Sequence, residues 1–283
     1  MLSAVRTMKP GDIPSAMELS TAANWNQTPE DWHRVMQLSA EGCRCIEDAG
    51  RIVATTSLLS YGAQLAWIGM VLTRPEYRRQ GLARRLMEDA IAMAECGGIR
   101  TLKLDATDEG RPLYESLGFV VEEPVERWGR NGDKLSAAKK KANAGKGSLG
   151  NAQISDDLFS QDAEAFGVER RELLEALSAL GRCIVTEKGY ALSRPGRVTQ
   201  YLGPCVANSE MDVRQLIVAH LEAEESRGLE PWYWDLLPSN PEAVRCATEL
   251  GFTRRRILWR MRRGEAIENN DAMVYAIAGF ELG

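Results

Sequence analysis

The sequence predicts an α/β protein with a mixed α+β sheet, arranged as two similar domains in tandem. Three observations support this: an alternation of strand-like and helix-like segments, a linker, and an internal repeat. Short apolar runs alternate with amphipathic stretches of helical period, which is typical of a layered sheet-and-helix fold. Residues 131–151 are rich in Gly, Ser, Ala and Lys. This composition predicts a flexible linker between a first domain, 1–130, and a second, 152–283.

The repeat is visible in two pairs of segments. TDEGRPLYESLGF (107–119) and NPEAVRCATELGF (240–252) both predict a helix that ends at Leu-Gly-Phe. WIGMVLT (67–73) and YLGPCVA (201–207) share the pattern apolar-Gly-x-x-apolar. A duplicated domain explains both matches most simply, with chance repetition of a common helix ending as the alternative.

Composition places the chain among ordinary globular proteins. Of its 283 residues, 44% are hydrophobic and 27% are charged, which is enough apolar material for two cores. The formal net charge of -5 argues against a nucleic-acid partner, because nucleic-acid-binding domains carry basic surfaces. The lysine run 139–141 lies within the predicted linker and is interpreted as part of a solvated tether.

Neither a membrane span nor a metal site is predicted. Residues 52–73 contain no charged side chain, but the turn-forming segment 61–64 interrupts them, so a hairpin explains the run better than a membrane helix. The first ten residues have no apolar signal core. The six cysteines include no Cys-x-x-Cys pair, and the chain has only two histidines. We therefore expect reduced thiols, no metal, no membrane partner and a cytoplasmic location.

The first domain is predicted to alternate strands and helices along its length. The helix from Gly81 to Glu95 is the most distinct. Its apolar stripe is formed by Leu82, Leu86, Ala90 and Met93. Pro112 fits the first turn of a short helix that ends at Leu117. The other predicted helices are 13–21 and 29–38, and the predicted strands are 3–7, 44–46, 52–59, 65–72, 101–106 and one that starts at Phe119.

Residues 71–90 combine the end of an apolar strand, a basic loop and the start of a helix. Gly81 opens the helix, where the absence of a Cβ lets a ligand approach the backbone. The first-turn N–H groups and the positive end of the helix form an anion site that suits a pyrophosphate. Three arginines add positive charge there: Arg78, Arg79 and Arg84. The segment is neither a Walker loop nor a Gly-x-Gly-x-x-Gly, and taken alone an ordinary strand-to-helix turn explains it equally well.

Two segments resemble the GCN5-related N-acetyltransferases, the GNAT family. RRQGLA (78–83) is similar to that family's Arg/Gln-x-x-Gly-x-Gly/Ala signature. YESLGF (114–119) is similar to its Tyr-x-x-x-Gly-Phe segment, in the same order and at a similar spacing. The resemblance covers roughly residues 3–128 and identifies the first domain as a member of the family.

The resemblance implies two tandem acyl-CoA N-acyltransferase-like domains and direct transfer of an acetyl group from acetyl-CoA to an amine in a ternary complex. A main-chain N–H on the strand Val71–Thr73 would stabilise the oxyanion, and the edge of this strand would hold the pantetheine. Tyr114 is the candidate general acid for the leaving thiolate, with simple packing as the alternative. The implied contacts of coenzyme A are Val71, Leu72, Thr73, Arg78, Arg79, Gln80, Gly81, Leu82, Ala83, Arg84 and Thr107.

Other positions depart from the family's pattern. Thr107 stands where members often have Asn, and the strand 65–72 carries no Asp or Glu, although members often keep a general base there. Asp105 is a candidate base; capping of the following helix is the equal alternative, and a chain of water molecules is another route for the proton. Trp25, between the first two predicted helices, is a candidate contact of the acceptor, with burial in the core as the alternative.

The second domain resembles the same family in a degenerate form. Its helix motif keeps Gly251 and Phe252 but has Ala247 where the tyrosine would stand. The loop that would bind phosphate carries Glu210 and Asp212, and these carboxylates repel anions. We therefore predict that the second domain has the same fold, packs its sheet against the first domain and holds no acyl-CoA.

The function predicted from the sequence is an acyl-CoA-dependent N-acyltransferase that acetylates a primary amine. A small molecule or a peptide fits as the acceptor, and a homodimer is compatible with the sequence. The alternative is a non-catalytic acyl-CoA-binding or regulatory interaction module, since the strand carboxylate is missing and the second domain has lost the chemistry. Turnover of acetyl-CoA with any amine separates the two functions.

Overall fold

A computed structural model describes residues 2–131, 151–225 and 231–283 of the protein. The strands of these residues form one mixed sheet of twelve strands, and helices pack on it. The predicted α/β fold with a mixed sheet is therefore confirmed. Most of the predicted linker, 132–150, lies outside the described residues, so the division of the chain at 131–151 stays a prediction.

Residues 2–131 alternate strands and helices in the predicted order. The strands are β1 (Arg6–Thr7), β2 (Arg44–Asp48), β3 (Arg51–Tyr61), β4 (Leu65–Thr73), β5 (Thr101–Ala106) and β6 (Val120–Arg130). The helices are α1 (Ile13–Ala22), α2 (Pro29–Leu38), α3 (Leu82–Cys96) and α4 (Arg111–Ser116). The uncharged run that the sequence assigned to a hairpin forms β3 and β4, which pair antiparallel.

The later residues repeat this order, so that the elements from α1 to β6 correspond to those from α5 to β11. The strands are β7 (Arg182–Thr186), β8 (Gly189–Arg194), β9 (Gln200–Ala207), β10 (Trp232–Leu236), β11 (Thr253–Gly264) and β12 (Val274–Ala276). The helices are α5 (Asp156–Phe166), α6 (Arg171–Leu180), α7 (Glu210–Glu225) and α8 (Pro241–Glu249). Short 3-10 turns occur at Pro10–Asp12, Pro75–Tyr77 and Asp271–Met273.

The two halves exchange one strand each. The strand order is β1-β2-β3-β4-β5-β11-β6-β10-β9-β8-β7, and β12 pairs with β9. β11 comes from the second half and pairs with β5, whereas β6 comes from the first half and pairs with β10. The two exchanged strands also pair with each other, antiparallel. The expectation of a second sheet packed against the first domain is therefore wrong, because strand pairing continues from one half into the other.

The helices divide between the two faces of this sheet. In β4, Leu65 and Trp67 lie in a core with α1, α2, α5 and α6, whereas Ala66 and Ile68 pack with α3 and α4. Because neighbouring side chains of a strand point to opposite faces, these two cores lie on opposite sides of the sheet. We call the side with α1, α2, α5 and α6 the front face and the other side the back face. A third core packs α7 and α8 on the second half.

Three further properties bear on the kind of protein. In the described ranges no helix is both long and apolar enough to cross a membrane. Among the same residues, no three side chains of His, Cys, Asp or Glu are grouped so that they could hold a metal ion. All six cysteines are free thiols, and five of them are buried.

Candidate active site

The parallel strands β4 and β5 separate towards their carboxyl ends. They pair only from Leu65 to Trp67 with Thr101 to Lys103. Beyond these residues the two strands do not pair with each other, so the main-chain groups of β4 that face β5 have no sheet partner there. The edge of this gap includes the segment Val71–Thr73, where the sequence predicted contacts of coenzyme A. The next residues of the chain form the loop that leads to α3.

A β-bulge bends β4 beside the gap. Between Thr55 and Ser57 of β3, one residue opposes two residues of β4, and Met70 takes a positive φ of 50°. Two hydroxyls hold this bulge: Thr55 donates to the carbonyl of Met70 (2.8 Å), and Thr56 donates to that of Gly69 (3.3 Å). Sequence reasoning did not select these threonines, although their polar side chains in an apolar run are the signal that could have found them.

The loop between β4 and α3 forms an open cradle for an anion. Arg79 and Gly81 both take left-handed conformations, with φ of 61° and 78°, and such turns line up successive N–H groups as an anion-binding nest. The N–H of Arg85 donates to the carbonyl of Gly81 (3.0 Å), so the N–H groups of residues 82–84 have no acceptor within α3. A Cβ at Gly81 would meet no atom within 4 Å, so the space beside this residue is open.

Arginine side chains surround the cradle. Arg78 and Arg79 are exposed, and neither forms an ion pair with the part of the chain that the structure describes. Arg84 instead donates to Ser116 Oγ (2.7 Å) and lies 3.8 Å from Glu88. Arg78 and Arg79 are therefore available to neutralise an anion, whereas Arg84 also joins α3 to α4.

Tyr114 lies on α4 with its ring in the core of the back face. The residue is 9% exposed, and its ring meets Phe119 edge-on with 6.3 Å between the centroids. Burial raises the pKa of the hydroxyl to about 12, so the group keeps its proton at neutral pH. The hydroxyl makes no hydrogen bond to the described residues. The ring of Tyr114 thus packs in the core. Its hydroxyl carries a proton that it donates to none of the described residues.

A hydrogen bond of Thr107 holds the loop between β5 and α4, and a residue of the second half contacts this loop. Thr107 Oγ1 accepts a hydrogen bond from the N–H of Gly110 (3.2 Å). Trp259, on the exchanged strand β11, pairs with Ala106 and donates from its indole N–H to Asp108 (2.7 Å). The second half therefore supplies an aromatic side chain beside the predicted contacts of coenzyme A. Sequence reasoning missed Trp259 because its place depends on the strand exchange.

Asp105 forms a buried ion pair with the other half of the chain. Its carboxylate accepts two hydrogen bonds from Arg260 of β11 (3.0 and 3.2 Å). Burial raises its pKa, against the lowering effect of Arg260. Capping of α4, the alternative weighed for Asp105, is not observed, because the cap position of that helix is Gly110. Its role as a base stays a prediction.

The same ion pair occurs in the second half. Asp235 of β10 accepts a hydrogen bond from Arg127 of the exchanged strand β6 (2.7 Å), and the carboxylate of Asp235 is fully buried. In each half, an aspartate near the end of the last parallel strand thus binds an arginine on the strand that came from the other half. This repetition indicates that the pair of Asp105 and Arg260 stabilises the strand exchange.

The loop between α1 and α2 joins the two halves on the front face. Trp25 is partly buried against the front-face core, and its carbonyl accepts a hydrogen bond from Arg197 (2.9 Å). The side chain of Asn26 accepts from the N–H of Thr199 (3.0 Å). These contacts show what positions Trp25, and its predicted contact with an acceptor stays a prediction.

In the second half, the corresponding gap is filled by the chain itself. β9 and β10 pair in parallel only from residues 200–202 to 232–234. Beyond these residues, β12 pairs antiparallel with β9, with Val274 in register with Val206. The N–H of the next residue after β12, Ile277, donates to the carbonyl of Asp235 on β10 (3.0 Å). Backbone groups that are free along β4 are therefore bonded to β12 in this half.

The N-terminus of α7 also differs from that of α3. Ser209 caps it by accepting from the N–H of Asp212 (3.2 Å). The carboxylate of Glu210 binds Arg245 and lies 3.3 Å from Arg214, so the cations at this end already have partners. The acidic residues that the sequence singled out thus lie at the start of this helix.

Comparison with known proteins assigns the chain to a family. The model of the acetyltransferase (GNAT) family matches residues 14–119, and that of an acetyltransferase (GNAT) domain matches residues 158–276. This protein therefore belongs to the GNAT family of acetyltransferases and contains two such domains in tandem, as the sequence resemblance implied.

Two curated relatives are acetyltransferases by name. YitH, an uncharacterized N-acetyltransferase of Bacillus subtilis, is 33% identical over 182 residues, which are 62% of this chain and 62% of YitH. The glucosamine 6-phosphate N-acetyltransferase of Trypanosoma brucei brucei is 32% identical over 85 residues, which are 28% of this chain and 58% of that enzyme. The matches thus span about three fifths of the length of these relatives.

A solved structure shares the fold over both halves. A candidate acetyltransferase from Pyrococcus horikoshii has a TM-score of 0.85 to this protein at 21% sequence identity. The match covers 100% of this chain and 96% of that protein. At this identity the likeness shows the fold alone.

Proposed function

We propose that the first half of this protein transfers an acetyl group from acetyl-CoA to a primary amine. The observation that carries the proposal is the gap between β4 and β5, which is open and leads to an anion cradle without a capping side chain. Family membership supports N-acetyltransferase activity in general. The second half has its gap filled by β12, and we assign it no acyl-CoA site.

The residues around the gap match the parts of coenzyme A. We assign the pyrophosphate to the N–H groups of residues 80–84, where the helix end and two exposed arginines, Arg78 and Arg79, favour an anion. The pantetheine pairs with the free edge Val71–Thr73 in the way that an added strand would. A main-chain N–H of the same edge faces the thioester oxygen and stabilises the charge that develops there. Thr107 lies on the opposite side of the gap.

Tyr114 is the proposed general acid. As the C–N bond forms and the C–S bond breaks, its hydroxyl gives a proton to the departing sulfur. A free thiol has a pKa of about 8.5, well below that of Tyr114. Burial that raises the pKa of the tyrosine also raises that of a thiolate beside it, so the transfer is less unfavourable than the reference values imply.

The attacking amine must lose protons, and we propose that they pass either to Asp105 or to a chain of water molecules. Burial raises the pKa of Asp105, and a carboxylate with a raised pKa is a stronger base. Its two hydrogen bonds from Arg260 stabilise the charged form and so weaken it as a base. Over one turnover, the ammonium form of the acceptor loses two protons: one replaces the proton that Tyr114 gave to the sulfur, and the other goes to solvent.

The acceptor is proposed to be a small molecule or a peptide that reaches the gap from the front face, because α3 and α4 cover the back face there. Trp25 lies on the same side. The Trypanosoma relative acts on an amino sugar phosphate, which is one example of a small amine. The cytoplasm is the proposed location, since a reducing compartment suits the six free thiols.

The test is release of free coenzyme A from acetyl-CoA by the full chain with a panel of primary amines. Gly81→Glu is the blocked variant, and Gly98→Glu is its matched control. Both glycines have a positive φ and open space around the Cβ position, so both substitutions strain the backbone alike. We expect amine-dependent release with the wild type and Gly98→Glu and none with Gly81→Glu.

An inert protein that still binds acetyl-CoA would instead support the second function, a non-catalytic acyl-CoA-binding or regulatory module. The observation in favour of that module is the lack of a carboxylate on β4 together with the engagement of Asp105 by Arg260. Calorimetric titration of acetyl-CoA, run beside the turnover assay, separates a binding module from a protein that does neither.

A further inference from the structure

A cavity of about 280 Å³ lies on the front face between the two halves. The sheet contributes Trp67 of β4, Lys103 of β5 and Arg260 of β11, and the opposite wall includes Phe166 of α5 and the segment 267–277. Trp67 and Lys103 form the last pair before β4 and β5 separate, so the cavity adjoins the start of the gap. Its size is close to the lower end for small-molecule sites.

Every cation in the described lining of this cavity already has a carboxylate partner. The three ion pairs are Lys103–Glu122 (2.9 Å), Arg170–Asp162 (2.9 Å) and Arg260–Asp105 (3.0 Å). These pairs cancel the positive charge of the lining. An anionic ligand would therefore find no free cation among these side chains.

Two carboxylates in the lining have no such partner. Neither Glu123 of β6 nor Asp271 forms an ion pair within the described residues. Among the described residues, each accepts a side-chain hydrogen bond from a neutral group: Glu123 from Ser239 Oγ (2.7 Å) and Asp271 from the side-chain amide of Asn269. Burial raises the pKa of Glu123 and repulsion from Asp271 adds to the rise, against the lowering effect of Arg260 and Lys103. A cation held between the two carboxylates would relieve this repulsion.

We propose that the cavity binds the non-reacting, cationic end of the acceptor, with its ammonium group between Glu123 and Asp271. The inference rests on the acetyltransferase function proposed above and adds the class of acceptor, an aliphatic diamine. One amino group stays protonated in the cavity, and the other reaches the gap as the nucleophile. Four apolar side chains offer contacts to the methylene chain: Leu65, Leu237, Val274 and Ile277.

The experiment compares diaminobutane with butylamine, an acceptor of the same chain length that lacks the second ammonium group. The wild type is expected to favour diaminobutane in kcat/KM. Glu123→Gln and Asp271→Asn should each reduce the ratio of the two kcat/KM values roughly ten- to a hundredfold, as the loss of a hydrogen bond to a charged group does. Glu222→Gln, a change of the same kind on the exposed face of α7, should leave the ratio unchanged.

The ratio should also depend on pH. The charged groups that face Glu123 are Asp271, Arg260 and Lys103, and together with burial they leave its pKa raised. Because only the carboxylate form of Glu123 attracts an ammonium group, the preference for diaminobutane should be full well above that pKa and should weaken as the pH falls through it, while Asp271 retains part of the preference. In Glu123→Gln this pH dependence should be absent.

Binding without turnover keeps this inference separate from the proposed function. Calorimetric titration of diaminobutane into the full chain, with no acetyl-CoA present, should show a site that Glu123→Gln weakens. If no amine is acetylated but this binding is seen, the proposed function fails and the cation site stands. If diaminobutane and butylamine are acetylated with equal kcat/KM, or if Glu123→Gln leaves the ratio unchanged, the cation site is overturned while the acetyltransferase function stands.

Discussion

The gap between β4 and β5 and the gap between β9 and β10 arise from the same order of elements, yet only the second is filled by a further strand of the protein. In both, two parallel strands pair over three residues and then separate. In the second, β12 supplies the hydrogen bonds that the separation leaves free. We infer that such a gap can accept an added strand: a segment of the protein itself in the second half, and the pantetheine in the first.

The segment that fills the second gap continues to the first half. At Gly203 of β9, a Cβ would lie 2.1 Å from the carbonyl oxygen of Ile277, and at Gly69 of β4 it would lie 2.7 Å from that of Glu281. These glycines occupy matching places in the two repeated segments, and each leaves room for the same stretch of chain. The indole N–H of Trp67 fixes the segment by donating to the carbonyl of Phe280 (2.9 Å).

The largest expected effect concerns the hydroxyl that only the first half has kept. The second half has Ala247 at the position that corresponds to Tyr114. We predict that Tyr114→Phe lowers kcat by about ten- to ten-thousand-fold, the range for a positioned general acid, with acetyl-CoA affinity unchanged. Tyr275→Phe is the control, because that buried tyrosine bonds Glu242 in the second half and should not affect kcat. An unaltered kcat in Tyr114→Phe would leave this side chain with a packing role only.

A smaller effect, on stability, tests whether the two buried ion pairs are equivalent. Asp105→Asn and Asp235→Asn each leave a buried arginine without its carboxylate, so each should lower the free energy of unfolding by about 3 kcal/mol or more. Denaturant unfolding of the full chain measures both. A loss at one position and none at the other would contradict the equivalence.

The kcat values of the same two variants, measured under conditions in which both are folded, identify the group that takes the proton from the amine. Asp235→Asn should leave kcat unaltered, because Asp235 lies in the half to which we assign no acyl-CoA site. If kcat falls in Asp105→Asn alone, Asp105 is the base; if kcat is the same in both, water takes the proton. The free energy of unfolding thus tests the ion pair, and kcat tests the role of Asp105 as a base.

Local sequence patterns predicted the helices and strands of the first half well, and the anion cradle at the start of α3 stays a prediction. The apolar stripe of α3 has the period of a helix with one side towards the core, and the uncharged run of β3 and β4 is buried on both faces of the sheet. Gly81 was selected because a helix start without a Cβ exposes N–H groups, and the structure shows a positive φ and open space at that residue. The repeated Leu-Gly-Phe segments predicted a duplicated domain, and the two halves do share one order of elements.

The partners of the strands could not be predicted. β6 and β11 each follow a similar short helix, and no local pattern distinguishes a strand that stays in its own half from one that crosses over. Arg260 and Asp105 are 155 residues apart in the sequence, so their pairing becomes visible only with the exchange. β12 has three residues, too few for a recognisable period. The front-face cavity depends on all of these contacts.

We propose that only the gap between β4 and β5 binds acyl-CoA, and isothermal titration of acetyl-CoA into the full chain decides this by counting the sites. We expect one site per chain in the wild type, one in Gly98→Glu and none in Gly81→Glu. A second site in the wild type that survives Gly81→Glu would contradict it, because it would show that β12 does not keep the ligand out of the second half.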